Sequence, residues 1–202
     1  MPGPLAGLKV LDFSALLPGP FATMMLADLG AEVLRVESPS RPDMVRMLPP
    51  LASDGNSAAH GYLNRSKRSI AIDMKTAEGL AIVKRLVREY DIVVEQFRPG
   101  VMDRLGAGYE ALKAENPGLI YCSITGYGQT GPYKDRAGHD MNYLAIAGVL
   151  GYNGRKETGP APISVQVADV AGGSCHAVIG VLAAVLHRLK TGEGQHIDVS
   201  MT

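Results

Sequence analysis

Short apolar runs alternate with amphipathic segments along the chain as far as Gly126. The apolar runs predict strands at Leu8 to Phe13, Ala31 to Glu37, Ser69 to Met74, Asp91 to Phe97 and Leu119 to Gly126. Helices are predicted between them, one closed by Gly30 and one from Thr76 to about Tyr90. Because helices separate the strands, we predict an α/β fold with a doubly wound, mostly parallel sheet, joined by right-handed crossovers and covered on both faces.

Two further stretches complete this pattern. Residues 38–61 are rich in Pro, Ser, Gly and Asp without sustained periodicity, which predicts a long surface excursion. Beyond Gly138 the pattern is helical, with a long small-residue-rich segment over 167–192, and HIDVSM predicts a last strand. The chain stops directly after that strand, so we expect residues 1–202 to be one α/β domain from the N-terminal part of a longer polypeptide.

Composition narrows the class of protein. Lys plus Arg and Asp plus Glu number 20 each, so no global field recruits nucleic acid or an anionic membrane surface. The two cysteines lie in apolar stretches without CxxC spacing, which is typical of reduced intracellular thiols. There is no N-terminal targeting pattern, and no uninterrupted apolar run reaches the ~20 residues that span a bilayer. We expect a soluble, cytoplasmic protein without nucleic-acid or membrane partners.

The sequence lacks the motifs of two common kinds of site, the dinucleotide site and the metal site. A nicotinamide-binding domain would carry GxGxxG directly after the first strand, where this chain has SALLPGP, so dinucleotide binding is disfavoured. The histidines other than His139 form no HExxH or similar ligand spacing, so we predict no metal site.

Two strand ends carry cationic and aromatic groups, at the edge where parallel sheets place ligands. In NRSKRSIAIDMK, Lys67, Arg68 and Lys75 are phosphate ligands or, as is more common for basic residues that flank a strand, a solvated rim. In VEQFRPGVMDRLG, Phe97 is a stacking surface for a base or a core residue. Arg98 and Arg104, in the same segment, are phosphate ligands or surface arginines.

A glycine-rich loop and a buried acid are the remaining candidates. The segment ITGYGQTGPYKDRAGHDMNY joins a strand to a helix, and so many glycines are costly unless the loop approaches something closely. His139 in this loop is a proton-transfer group or a structural residue. Asp169 interrupts the apolar run VQVADVAGG, where an unpaired carboxylate is costly, so it is functional or a helix cap.

The order of these segments resembles the class III CoA-transferase family. Six blocks carry the resemblance across nearly the whole chain: LKVLDF with LADLGAEVLRVE, NRSKRSIAIDMK, VEQFRPGVMDRLGAGYE, SITGYGQTGP and KTGEGQHIDVSM. The resemblance implies a Rossmann-like large domain that binds coenzyme A (CoA) as part of its substrate, with no permanently bound cofactor. It also implies a smaller domain supplied by sequence absent here, and an interlocked homodimer.

The resemblance further implies which residues line the CoA site. They are Ile72, Asp73, Met74, Lys75, Gln96, Phe97, Arg98, Arg104, Ala137, Gly138, His139, Asp140 and Tyr143. The chain departs from the family at Ser38, where many relatives have an arginine that contacts the adenosine end of CoA; Arg41 is a candidate replacement.

The resemblance leaves three functions open. Asp169 falls on the family's catalytic aspartate, and AGHDMNY resembles the α-methylacyl-CoA racemase branch, in which His139 and Asp169 would exchange the α-proton through an enolate. We favour this racemase hypothesis. The alternatives are a CoA-transferase in which Asp169 attacks the acyl-CoA to give an aspartyl anhydride, and a non-catalytic CoA-binding module.

Overall fold

The computed structural model describes residues 2–202. Its strands are β1 (Lys9–Asp12), β2 (Glu32–Glu37), β3 (Lys67–Ala71), β4 (Ile92–Glu95), β5 (Ile120–Thr125), β6 (Gly154–Arg155), β7 (Gly159–Pro160) and β8 (His196–Ser200). Six of them form one sheet in the order β3-β2-β1-β4-β5-β8, and every neighbouring pair is parallel. Strands β6 and β7 form a separate antiparallel hairpin.

Helices connect the strands of the main sheet. They are α1 (Pro18–Asp28), α2 (Ala58–Leu63), α3 (Ala77–Val87), α4 (Val101–Arg104), α5 (Tyr109–Lys113), α6 (Asp140–Ile146) and α7 (His176–Thr191). Short 3-10 helices occupy Met44–Met47 and Val149–Tyr152, and a π-helix over Ala168–Cys175 leads directly into α7. The prediction of a doubly wound, parallel α/β sheet is therefore confirmed.

The core has two layers because each strand alternates its side chains between the two faces of the sheet. On one face, Val10, Ile92 and Ile120 pack with Leu26 of α1 and Val181 of α7. On the other face, the second layer contains Leu11, Val93, Tyr121, Val83 of α3, Met102 of α4 and Leu112 of α5. Both faces of the central strands are covered, which explains why these strands are nearly continuous apolar runs.

Strand β3 begins and ends earlier than the sequence predicted. We expected Ser69 to Met74, and the strand spans Lys67–Ala71, with Lys67 opposite Val33 and Ala71 opposite Glu37 of β2. Pairing with β2 sets these limits, and the chain then turns away at Asp73. The apolar pattern placed the strand late because Ile72 and Met74 face the core from the segment after it.

The segment 168–175 is a π-helix, which the helical pattern over 167–192 did not predict. The Ser174 hydroxyl lies 2.7 Å from the Pro18 carbonyl oxygen and 3.1 Å from that of Asp169. Gly172 lies against the backbone of Met201, where an added Cβ would come within 2.9 Å of the carbonyl oxygen. Short π segments of this kind are frequent at functional sites, and this one contains Asp169.

The helical segment Ala168–Thr191 is long and apolar enough to cross a membrane by length and composition. In the structure it packs on the sheet through Ala177, Val181 and Ala184. A core helix passes the same length and composition test, so this is a weak indication of a membrane span. The absence of a membrane partner stays a prediction.

Candidate functional site

The candidate site lies at the carboxyl edge of the sheet, around the neighbouring strands β1 and β4. The chain leaves β1 for α1 on one face and runs from β3 to β4 through α3 on the other face, so the connections diverge here. Open parallel sheets bind ligands at such a point. The two loops are joined directly, because the Gly19 amide donates to Oε1 of Gln96 over 2.8 Å.

The N-terminus of α1 offers few amide donors to a phosphate. Pro18 and Pro20 have no N–H, and the Gly19 amide is already bonded to Gln96. Dinucleotide-binding folds hold pyrophosphate with free amides at this position. The geometry supports the expectation that this chain does not bind a dinucleotide there.

The turn after β4 carries three of the predicted CoA residues. The Phe97 amide donates to Oε2 of Glu95 over 2.7 Å, and the Phe97 ring is partly buried against the core. Arg98 is exposed at the turn, and Arg104 is exposed at the end of α4. Gly100 has φ +76° and lies beneath the Arg104 guanidinium, where an added Cβ would be 3.4 Å from Nη1. The turn and the short helix after it therefore expose two cationic groups at this edge.

The segment after β3 divides into core and surface residues. Ile72 is buried, and Met74 packs partly buried against the same core layer, so these two side chains face the protein interior. Asp73 caps the turn by accepting from the Lys75 amide over 3.0 Å. Lys75 is exposed and is the cation that this segment presents to solvent.

Lys67 is not a surface cation, which corrects the reading of it as a phosphate ligand or rim residue. Its side chain is 1% exposed, and Nζ lies 3.2 Å from Oδ2 of Asp12 and 2.7 Å from Oγ1 of Thr23. Burial lowers the pKa of Lys67, and the Asp12 carboxylate opposes that shift. Lys67 thus holds β3, β1 and α1 together. The neighbouring Arg68 is exposed and pairs with Glu32.

The glycine-rich loop after β5 is shaped around Tyr143, which is 5% exposed. The Tyr143 hydroxyl donates to the Gly138 carbonyl over 2.5 Å. An added Cβ at Gly138 would lie 2.6 Å from the ring, and one at Gly126 would lie 2.5 Å from it. This close approach explains the glycines at these two positions, whereas Ala137 is exposed.

His139 and Asp140 begin α6 beside the π-helix. The His139 amide donates to Oδ1 of Asn142 over 2.9 Å, and the His139 side chain is exposed. Asp140 is 8% exposed, and its Oδ1 accepts from the Asp169 amide over 2.9 Å. The structure therefore brings the glycine-rich loop and the acid of the π-helix together.

Asp169 has the electrostatic environment of a proton-transfer group. Burial is the main cause that raises the pKa of Asp169 to about 6; the Asp140 carboxylate adds to the rise and His139 opposes it. Burial also raises the pKa of Tyr143 to about 12, with Asp169 adding to the rise and Arg98 opposing it. Tyr143 and His139 therefore lie close enough to Asp169 to interact with its charge, and Arg98 lies close enough to act on Tyr143. Val167, and not Asp169, occupies the N-cap position of the π-helix, so the capping alternative is wrong.

The segment after β2 contains a buried ionic network that sequence reasoning missed. Arg35 is 2% exposed, and its Nη2 pairs with Oδ2 of Asp43 over 2.5 Å, while Nη1 lies 2.8 Å from Nε2 of His60. Ser38 and Arg41 form an isolated antiparallel bridge, and both are exposed. Arg41 is therefore available as a cation near Ser38, as its proposed replacement role requires.

Both cysteines are free thiols, with Cys122 buried in the core and Cys175 partly exposed. Over residues 2–202, no three His, Cys, Asp or Glu side chains are grouped to hold a metal ion.

The comparisons with known proteins agree with one another. The family model for CoA-transferase family III matches residues 5–202. The succinate–glutarate CoA-transferase of Agrobacterium fabrum is 44% identical over 98% of this chain and 51% of that protein. The human α-methylacyl-CoA racemase is 43% identical over 98% of this chain and 48% of that protein.

A solved structure, the CAIB/BAIF family protein from Brucella suis, superposes with a TM-score of 0.93 at 43% identity, over 100% of this chain and 54% of that one. The chain spans about half the length of the curated relatives it matches.

Proposed function

The chain belongs to CoA-transferase family III, and on that premise we propose that it binds an acyl-CoA thioester and epimerises its α-carbon as an α-methylacyl-CoA racemase does. The nucleotide would lie along the β4 turn and Lys75, with Arg98 and Arg104 facing its phosphates. The thioester would reach the pair formed by His139 and Asp169.

The observation that carries this proposal is the juxtaposition of His139, Asp140 and Asp169. The exposed imidazole and the carboxyl come from different elements. Asp140, the residue after His139, accepts a hydrogen bond from the Asp169 amide, and His139 is close enough to act on the Asp169 charge. A carboxyl whose pKa is raised to about 6 exchanges protons efficiently near neutral pH. A two-base exchange requires one proton-transfer group on each face of the α-carbon, and here these would be His139 and Asp169.

The proposed reaction balances as two proton transfers. A thioester acidifies its α-hydrogen, so one group of the pair takes that proton and the electron pair becomes an enolate. The other group then returns a proton to the opposite face, which inverts the carbon. The Asp140 amide, at the first position of α6, is the donor that we expect to stabilise the enolate oxygen.

The transferase alternative is favoured by the charge state of the same carboxyl. With a pKa of about 6, Asp169 is mostly ionised above neutral pH, as a nucleophile must be. The carboxylate would attack the thioester carbonyl, expel CoA as its thiolate and leave an acyl anhydride. The relatives named above include both activities, and the exposed imidazole of His139 is the reason we prefer epimerisation.

Heavy-water exchange separates the two chemistries. The protein in its full natural length is given a single enantiomer of a 2-methylacyl-CoA in deuterium oxide. We expect deuterium at the α-carbon together with loss of enantiomeric purity. Inversion should be abolished in both His139→Ala and Asp169→Ala, and deuteration without inversion should survive in at most one of the two variants, the one that keeps the base facing the α-proton. His187→Ala is the matched control, since His187 lies in the last turns of α7, towards the amino edge of the sheet.

Two other outcomes would support the alternative functions. Transfer of CoA to a free carboxylic acid without α-deuteration would contradict epimerisation and support the transferase. CoA binding that survives both substitutions in a protein without any turnover would support the binding module. The interlocked homodimer, the cytoplasmic location and the absence of a permanently bound cofactor rest on the family resemblance and the composition, and they remain proposals.

A further inference from the structure

Glu95 is a buried carboxyl that the proposed reaction does not use. It ends β4 and is 4% exposed, on the same face of the sheet as Val93 and Tyr121. Oε2 of Glu95 accepts a hydrogen bond from the Phe97 amide over 2.7 Å. Glu95 therefore fixes the start of the turn that contains Phe97 and Arg98. Its position ties a buried ionisable group to the proposed CoA site.

The surroundings of Glu95 are predominantly acidic. Glu95 lines a cavity of about 220 Å³ whose walls include Asp103 of α4, Glu110 of α5 and His196 of β8. Asp198 of β8 also acts on Glu95 as a like charge. Over residues 2–202, none of these four carboxylates forms an ion pair. Burial is the largest cause that raises the pKa of Glu95 to about 7, and the like charges of Asp103 and Asp198 add to the rise.

A row of polar groups leads from Glu95 to the edge strand β8. Glu95 is opposite Ser123 of β5, and the Ser123 hydroxyl favours the ionised form of the Glu95 carboxyl. The Ser123 hydroxyl lies 3.0 Å from Nε2 of His196, whose ring stacks on Tyr109. Partial burial lowers the pKa of His196, and Asp198 opposes that shift. His196 is exposed, so its imidazole offers solvent protons a route towards the buried carboxyl by way of Ser123, as titration of Glu95 requires.

The bound nucleotide would change the field at Glu95. Arg98 lines the same cavity, and it is one of the cations that would face the phosphates of CoA. Phosphates at this turn add negative charge beside a carboxylate that has no cationic partner among residues 2–202, which favours its protonated form. We propose that Glu95 takes up a proton when CoA binds, and so acts as a positioning residue that reduces the negative charge behind the Phe97–Arg98 turn. This inference rests on the proposed function, because it requires CoA at that turn.

The size of the effect follows from linkage. If the phosphates raise the pKa of Glu95 by about one unit, the uptake is about half a proton per CoA near pH 7.5. The same shift weakens CoA binding by up to about tenfold from acidic to alkaline pH. A phosphate monoester has its second pKa at about 6 and is therefore almost fully ionised at pH 7.5. Cations at the site would only release its remaining protons, so phosphate titration does not produce an uptake.

Calorimetry in two buffers of different ionisation enthalpy measures this uptake directly. CoA is titrated into the protein in its full natural length at pH 7.5, and the difference in apparent enthalpy gives the protons bound. We expect uptake in the wild type, none in Glu95→Gln and wild-type uptake in Glu110→Gln. Gln at position 95 keeps an acceptor for the Phe97 amide, and Glu110 is an exposed acid on the same cavity.

The outcomes distinguish the inference from the proposed function. CoA binding without proton uptake in the wild type, or uptake that persists in Glu95→Gln, overturns the role of Glu95 and leaves the proposed function intact. The wild-type measurement decides the matter even if Glu95→Gln fails to fold. No detectable CoA binding under any condition overturns both proposals.

Discussion

Replacing Asp140 with Asn removes one charge beside Asp169 and retains a side-chain acceptor for the Asp169 amide. Asp140 Oδ1 lies 2.9 Å from that amide, which places the two carboxyl groups about 6 Å apart. At this separation and an effective dielectric constant of about 20, two charges interact by roughly 3 kcal/mol. That is an upper limit, because solvent reaches the partly exposed Asp169 and screens the interaction.

The pKa shift expected in Asp140→Asn follows from the relative contributions of burial and of Asp140 to the raised pKa of Asp169. The pKa of Asp169 is raised from 3.8 to about 6, and burial contributes more than Asp140 does. Asp140 therefore supplies the smaller of the two upward contributions, and we expect Asp140→Asn to lower the pKa of Asp169 by about one unit, or ~1.4 kcal/mol.

The pH dependence of kcat/KM for an acyl-CoA substrate reports this pKa in the free enzyme. We expect the limb that belongs to Asp169 to move from about pH 6 to about pH 5 in Asp140→Asn. Asp135→Asn, an exposed acid of the same loop, should leave it in place. Carbon-13 NMR titration of the Asp169 carboxyl gives the same quantity without turnover. A limb that stays near pH 6, or one that moves upward, refutes the electrostatic role of Asp140.

Three further predictions concern stability and the shape of the site. Glu95 has a raised folded-state pKa of about 7, so its contribution to stability is full below about pH 4.5 and is lost as pH rises through 7. Glu95→Gln should therefore be up to about 3 kcal/mol more stable than the wild type at pH 8.5 but not at pH 4, as urea unfolding will show. Lys67→Met leaves the buried Asp12 carboxylate without its partner and should cost about 3–5 kcal/mol in the same assay, with part recovered by adding Asp12→Asn. Gly138→Ala places a methyl group against the Tyr143 ring and should weaken CoA binding at least tenfold while the circular dichroism spectrum is kept; unchanged affinity would contradict the proposed loop geometry.

The strands were the most predictable part of the fold. Val93, Val94 and Ile120 lie in runs that are apolar on both faces, and such runs are typical of central parallel strands. Strand β3 was placed too late because Ile72 and Met74 continue the apolar pattern after the strand has ended. The pairing with β2 that ends the strand is a long-range contact, and local pattern does not contain it.

The site was predictable where a residue type conflicts with its surroundings. Asp169 in an apolar run and the glycines around Tyr143 were both visible as such conflicts, and the structure brings them together. Lys67 was misassigned because its partners, Asp12 and Thr23, are distant in sequence. Glu95 was missed although it ends a buried apolar strand, the same signal that identified Asp169.

The π-helix that carries Asp169 was also beyond sequence reasoning. Its irregular turns depend on contacts of Ser174 with Pro18 and of Gly172 with Met201, and these residues come from opposite ends of the chain. The roles of His139 and Asp169 stay predictions, since the resemblance supplied them and the geometry is compatible with two chemistries.

The most direct test is a crystal structure of the full-length protein with an unreactive analogue of a 2-methylacyl-CoA. If the protein epimerises its substrate, the α-carbon lies between an imidazole nitrogen of His139 and a carboxylate oxygen of Asp169, each about 3–3.5 Å away on opposite faces. An Asp169 oxygen directed at the thioester carbonyl carbon, with His139 turned away from the α-carbon, would contradict epimerisation.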